Sequence, residues 1–347
     1  MRFPMKTIAT ISITIAALAM SAAHAQDSAG SVERLDPAFD ALVGSNVQIE
    51  ILHEEGDTFF EGPVWHHGAE GGFLTFSDLV GNRIRKWDPR TGALTDYVSP
   101  VWTGNDSSSA IHFERDGKSY AQIGPNGETL DGMGRLVFTA MGSGRIMRRE
   151  AEGTLSVLAN AYDGRHLNAP NDLVYASDGA LYFTDIRAGL VTADENPPEG
   201  VPHTGVYRLK DGVLTLLADD LEAPNGIALS PDESLLYVND IRVRDVMRYE
   251  LQADGSIANG RPLIAIPRSD TRAGNPDGMK IDVHGNLWNS GPGGIWIISP
   301  QGKHLGTISL PERITNLAWG DDDAMTLYTT GPTMVMRIRV NVAGIRP

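Results

Sequence analysis

The stretch Leu167–Asp185, LNAPNDLVYASDGALYFTD, limits the possible folds more than any other part of the chain, because five looser copies of it recur along the sequence. It joins a Pro-Asn step, a short apolar run, a polar turn with Gly, and a second apolar run ending in a carboxylate. Apolar runs of about four residues between turn residues read as paired strands, so the unit is a β-hairpin. The copies begin at Glu61-Gly62-Pro63, Pro125-Asn126-Gly127, Pro224-Asn225-Gly226, Pro276-Asp277-Gly278 and Thr315-Asn316-Leu317. The equivalent position holds Glu61, Asn126, Asn171, Asn225, Asp277 and Asn316, at spacings of 65, 45, 54, 52 and 39 residues. A drifting period of roughly 40–50 residues predicts an all-β, six-bladed β-propeller with one four-stranded sheet per repeat.

Third strands of the blades show as Arg83–Trp87, Arg145–Arg148, Gly205–Leu209, Asp245–Tyr249 and Gly294–Ile298, and their alternating arginines read as solvated faces. The alternating segments Val47–Leu52 and Val335–Val340 are expected to close the ring by completing one blade from both ends of the chain. Residues 47–347 thus form a single propeller domain behind a polar lead over residues 26–46. Two insertions interrupt the repeat, Pro100–Gln122 and Val191–His203, and read equally as lids or as disordered loops.

Residues 1–25 have the form of a secretory signal: Arg2 and Lys6, an apolar segment Ile8–Met20, and Ala23-His24-Ala25 as a cleavage site. The expected location is periplasmic or secreted, with no membrane attachment after the leader is removed. The chain has no cysteine, which excludes disulfides, thiol catalysis and thiolate metal sites. Its core alone must hold it, which a chain of about 320 mature residues can do. The net charge of −15 becomes −17 without Arg2 and Lys6, and no basic stripe interrupts it, so nucleic acid is not an expected partner.

In a propeller the first strand of each blade lines a central channel, so a position recurring at the start of that strand forms a ring at one mouth. Here the ring holds two carboxylates and four carboxamides. Converging hard oxygen donors suit a hard divalent cation, although Asn and Asp beside Gly and Pro also serve simply as turn formers. Asp78, Asp185 and Asp240 end second strands near the same mouth. They would orient ligands, hold a second cation, accept protons or cap turns. The G-x-S-x-G, H-E-x-x-H and Walker patterns are absent, and Asp321-Asp322-Asp323 lacks the glycine and glutamate of an EF-hand.

The segments EGPVW from Glu61, LNAPNDLV around Asn171, PNGIALSPDESLLYV from Pro224 and PDGMKIDVHGNLW from Pro276 resemble the senescence-marker-protein (regucalcin)/gluconolactonase family, its bacterial gluconolactonases above all. The resemblance covers nearly the whole mature chain. It implies a lactone hydrolase with one divalent cation in the channel, calcium first, with zinc, magnesium or manganese as alternatives. It further implies that Glu61, Asn225 and Asp277 bind the metal and that Asn171 lies at the metal or the substrate beside it. Asp277, the ring carboxylate next to Gly278, is expected to take the proton from water, and Asn126 to face the substrate with Asn171.

Two departures bear on the substrate. Members similar to this chain carry a His-Gly step where Ala140-Met141-Gly142 stands, and a Pro-Pro-Tyr segment at Ile186-Arg187-Ala188. A small-molecule sugar lactone such as gluconolactone is the expected substrate, with Arg165, His166 and Arg187 as candidates to select an acidic or altered ligand. The competing readings are a non-catalytic propeller that binds a ligand or protein, and a propeller with strictosidine-synthase-like or arylesterase-like chemistry.

Overall fold

In the computed structural model, which describes residues 28–29, 31–68, 71–103, 111–186 and 200–347, each repeat forms one antiparallel four-stranded blade. The first blade runs Phe60–His66, Phe73–Asp78, Arg83–Asp88 and Ala93–Val98 from the channel outward. The inner strands of the other five are Glu128–Leu130, Ala169–Tyr175, Pro224–Leu229, Met279–Ile281 and Asn316–Gly320. These six strands touch in sequence and the last touches the first, which closes the ring. The closure is the expected one: Gln48–Glu54 pairs antiparallel with Met334–Arg339, setting Ile49 opposite Ile338 and Ile51 opposite Met336.

The polar lead also joins the sheets. Ser31–Arg34 adds an outer strand beside His304–Ser309 of the fifth blade, and Ser28–Ala29 pairs with Gln48–Glu54 of the sixth. Between them the short helix Ala38–Val43 buries Phe39, Leu42 and Val43 against the fifth and sixth blades. Residues 1–27, the proposed leader included, lie outside the described residues.

Alternation along each strand sends apolar side chains to both faces, so the core is divided among the six gaps between blades. One gap holds Val64, Ile84 and Phe138, the next Val137, Leu173 and Phe183, another Phe60, Phe76 and Tyr328, and the largest Trp288, Trp319 and Ile338. Each fully buried large side chain stabilises the fold by roughly 1.5–3 kcal/mol, so many such residues around the ring replace the absent disulfides. The third-strand arginines do not sit on solvated faces as expected. Arg83, Arg148, Arg208 and Arg248 are half-buried, and Arg85 is buried, paired with Glu55 and Asp96. Blade faces pack on neighbouring blades, so the polar side of a third strand is still partly an interface.

Of the first insertion, Ile111–Arg115 and Lys118–Gln122 form a hairpin. It is fixed to the ring mouth by Phe113 against Phe59 and by Arg115, which donates to the carbonyls of Gly56, Thr58 and Pro332. Phe59, Leu79, Met141 and Ala169 make a small separate core beneath it. Residues 104–110 of the first insertion, and 187–199, which take in most of the second, lie outside the described residues.

Candidate active site in the channel

Local backbone geometry aims the ring. In the first, third and fourth blades the register between inner and second strand shifts by one residue at Glu61/Val64, Pro170/Leu173 and Pro224/Ile227. A bulge re-aims side chains at the point where it interrupts a ladder, and it turns Glu61, Asn171 and Asn225 inward. The residue after the ring position is glycine in four blades, because the next inner strand leaves no room for a side chain: a Cβ on Gly62 would stand 2.1 Å from the Asn126 carbonyl oxygen, and one on Gly226 2.2 Å from that of Asp277. Second-strand side chains then tie each ring residue to its neighbour. Thr139 Oγ1 donates to the Asn171 carbonyl at 2.9 Å, Thr184 Oγ1 to that of Asn225 at 2.7 Å, and Asn239 Nδ2 to that of Asp277 at 2.7 Å.

All six ring residues are buried. Burial raises the carboxyl of Glu61 well above the ordinary range, and the nearby charges of Asp277 and Asp172 push it the same way. The Gly62 N–H, 2.9 Å from Glu61 Oε2, and the Asn316 amide oppose that rise. Asp277 is also raised, first by burial and then by the charge of Asp172, against the lowering effect of Arg313 and of the Asn225 amide. Two acids so placed cannot both ionise cheaply without added positive charge.

Asp172 was not among the residues singled out from the sequence. It occupies the position that is glycine in four other blades. Its Oδ1 accepts the Leu173 N–H at 2.9 Å, and its Oδ2 accepts Asn316 Nδ2 at 3.2 Å, a bond that crosses the channel from the third blade to the sixth. Asn316 is held in that orientation because its Oδ1 accepts the Leu317 N–H at 2.8 Å and Lys280 Nζ at 3.3 Å. Asn316 therefore presents donors to the carboxylates. Asn126 differs: its Nδ2 lies 3.2 Å from Met141 Sδ, and its buried Oδ1 has no hydrogen-bond partner among the described residues. Met141, one of the departures from the family pattern, thus touches a ring residue directly.

The structure brings Glu61 and Asp277 into electrostatic contact and sets the Asn225 amide beside Asp277. Asn171 is placed on the same ring. Arg165 and His166 lie on a separate two-residue pairing with Ala161–Tyr162, and His166 Nδ1 lies 3.0 Å from the carbonyl oxygen of Leu167. Arg187 falls outside the described residues. The second-strand aspartates prove to be turn caps. Asp78 accepts the Gly81 N–H and Arg83 Nε, Asp185 the N–H groups of Asn168 and Ala169, and Asp240 those of Glu222, Ala223, Arg242 and Val243. Among the described residues no group of three or more His, Asp and Glu is placed to hold a metal by itself; the ring's donors are carboxylates mixed with amides.

The opposite mouth opens into a cavity of about 800 Å³, lined by Trp65, Leu130, Tyr175, Ile227, Trp319 and the C-terminal Ile345–Pro347. Lys280 and Glu128 reach its wall. Both are committed to neighbours: Lys280 to Asn316 and the Met279 carbonyl, Glu128 to Thr75 and Ser77. Trp65 Nε1 and Trp319 Nε1 in its wall are buried without a hydrogen-bond partner among the described residues, but the two facing acids of the ring, Glu61 and Asp277, lie at the other mouth.

Residues 59–332 match the family described as SMP-30/gluconolactonase/LRE-like region. The chain is 34% identical over 346 residues to a gluconolactonase of Zymomonas mobilis, covering 97% of this chain and 93% of that one. It is 25% identical over 279 residues to a pentonolactonase of Haloferax volcanii, covering 78% and 80%. Among solved structures, a gluconolactonase of Xanthomonas campestris superposes with a TM-score of 0.73 at 29% identity, over 91% of this chain and 96% of that one. The matched residues span all six ring positions, and this chain is a member of the SMP-30/gluconolactonase/LRE-like family.

Proposed function

We propose that the protein is a hydrolase that opens lactone rings, sugar lactones such as gluconolactone first, at the ring mouth of the channel. The observation that carries this reading is a pair of buried acids facing each other's charge, Glu61 and Asp277, on the same ring as an Asn126 amide oxygen without a partner among the described residues, in a chain whose relatives include lactonases. Burial also raises the turn cap Asp185 to about 7, so what sets the ring pair apart is that Glu61 and Asp277 face each other's charge with few donors aimed at them.

The donor set fits one divalent cation. Glu61, Asp277, Asn225 and Asn171 would hold it, all through oxygen, which suits calcium, magnesium or manganese and tolerates zinc. When bound, such an ion supplies the positive charge that polarises a lactone carbonyl. Asp277 accepts the proton of the attacking water. Burial makes its carboxylate more basic than an exposed one, and its backbone is locked, with the N–H donating to Ser290 Oγ at 2.6 Å. Glu61 keeps one oxygen on the Gly62 N–H and turns the other to the ring. Asn126 and Asn171 orient substrate hydroxyls. Asp172 and Asn316, bonded across the channel, form the floor on which the ring rests. The leader read in residues 1–25 supports action in the periplasm or outside the cell.

The test is a pH-indicator assay of the mature protein on a lactone panel that includes gluconolactone. It is run after chelator treatment and after return of calcium, zinc, magnesium or manganese singly, with a spontaneous-hydrolysis blank. Metal-restored turnover that a Glu61→Ala, Asp277→Ala double variant lacks is the expected result. Metal binding without ring opening above the blank would overturn the reading.

A further inference from the structure

Arg313 stands at the ring mouth on the loop that leads into the sixth inner strand, and neither the repeat nor the family motifs single it out. Its backbone is fixed on both sides. On one, Glu312 accepts the N–H groups of Thr333 and Met334 at 3.1 and 2.7 Å and the Thr333 hydroxyl at 3.0 Å. On the other, Ile314 and Thr315 are buried, and Thr315 Oγ1 donates to the Phe60 carbonyl at 2.7 Å. The guanidinium lies over the ring of Phe59, 5.4 Å from its centroid, two residues before Glu61. Its charge reaches Asp277 on the neighbouring blade.

The group is half-buried and makes no hydrogen bond among the described residues. Arg115, which also packs beside Phe59 through Phe113, shows the contrast, with its donors spent on three backbone carbonyls. A guanidinium clamped on an aromatic face has already lost most of its rotamer freedom, and it presents a planar fork of donors that matches a carboxylate.

A carboxylate is what the proposed reaction creates. The oxygen of water bonds to the lactone carbonyl carbon, the ring C–O bond breaks, the ring oxygen takes a proton to become a hydroxyl, and the new acid loses one. A neutral substrate becomes an anion beside Asp277. We propose that Arg313 is the residue that binds this carboxylate, so that the site distinguishes the open hydroxy acid from neutral polyols; the assignment rests on the lactone-opening reading. The inference concerns the acid end of the product and leaves the sugar hydroxyls to the ring amides.

Calorimetric titration of the calcium-loaded full chain with D-gluconate and, separately, with the neutral polyol D-glucitol tests it without turnover. Arg313→Gln is expected to weaken gluconate about tenfold and to leave glucitol unchanged, with Arg313→Lys recovering part of the loss. Unchanged gluconate affinity in Arg313→Gln overturns the assignment. So does an equal loss for both ligands, which would mean that Arg313 shapes the mouth rather than reading the charge. Failure of the lactone panel, with gluconate binding still dependent on Arg313, sinks the enzyme reading alone. Ring opening with gluconate binding independent of Arg313 sinks this inference alone.

Discussion

Carboxylates end blade strands in two concentric shells around the same mouth, and the shells behave oppositely. Asp78, Asp185 and Asp240, on second strands, spend their oxygens on backbone N–H groups of the loops that precede or follow them and, for Asp78, also on Arg83 Nε. Glu61 and Asp277, one strand further in, have few such partners and face each other's charge. The residue types are the same and all five are buried, so burial does not separate structural acids from chemical ones. The number of donors already aimed at each oxygen does.

The largest way to break this contrast is at the inner shell. Asp277→Asn keeps the shape and removes the proton acceptor. It is expected to lower kcat/KM for gluconolactone by on the order of 10³, about 4 kcal/mol in barrier. The metal-free fold should not suffer. Asp277 has a folded pKa above its ordinary one, so the stability tied to its protonated form is present at low pH and lost as pH rises through the raised value. Removing the ionisable group should therefore raise the metal-free melting temperature at pH 8. Activity within tenfold of the parent would move the acceptor role elsewhere, Glu61 first.

The outer shell should respond the other way. Asp185→Ala strands the buried N–H groups of Asn168 and Ala169, each worth roughly 1–3 kcal/mol when unpaired. A loss of about 2–4 kcal/mol in urea unfolding is expected, with kcat of the folded fraction within about threefold of the parent. A large fall in kcat at unchanged stability would return Asp185 to the chemistry.

Ligand linkage gives a third measurement of the difference. Calcium at 100 times its Kd should stabilise the metal-stripped protein by about 2.7 kcal/mol. Glu61→Gln should abolish most of that gain, while Asp185→Ala should keep it. The gain should shrink as pH falls, because protons and cation compete for the raised carboxyls.

How much of this was legible in the sequence follows from what repeats. The ring positions recur in every blade, so the copies themselves expose Glu61, Asn126, Asn171, Asn225, Asp277 and Asn316, while the alternation of Val47–Leu52 and Val335–Val340 predicts the closure that Gln48–Glu54 and Met334–Arg339 make. Asp172 does not show in the repeat because it stands one residue past the recurring ring position. The signal was one residue further on: where Gly62, Gly127, Gly226 and Gly278 leave room for the next strand, the third copy carries an acid. Arg313 sits in a connecting loop with no counterpart in the repeat, so periodicity could not expose it. The roles of Asp78, Asp185 and Asp240 depended on backbone donors that only loop conformation supplies. The departures at Met141 and Ile186 were visible; that Met141 faces Asn126 and Ile186 the small core under the hairpin was not.

Glu128 shares features of both shells and sharpens the contrast most finely. It is fully partnered, with Thr75 Oγ1 at 2.6 Å and Ser77 Oγ at 2.8 Å, and the Thr75 hydroxyl also lies 2.9 Å from His66 Nε2. Burial nevertheless pushes its carboxyl up to about 8, because two hydroxyls offset less than the solvation lost. The ordinary value is 4.5, so the folded state holds this proton to higher pH than the unfolded state. Its contribution to stability is full below about 4.5 and falls as pH rises toward 8. Glu128→Gln, which fits the same hydroxyl pair, lacks that dependence. With saturating calcium present to remove the ring acids from the balance, the variant and parent should unfold alike near pH 4.5. By pH 9 the variant should be the more stable by roughly 1–2 kcal/mol, with kcat unchanged. If its effect instead disappears when calcium is withdrawn, Glu128 is coupled to the ring, and the separation of committed from uncommitted acids would have to be redrawn around it.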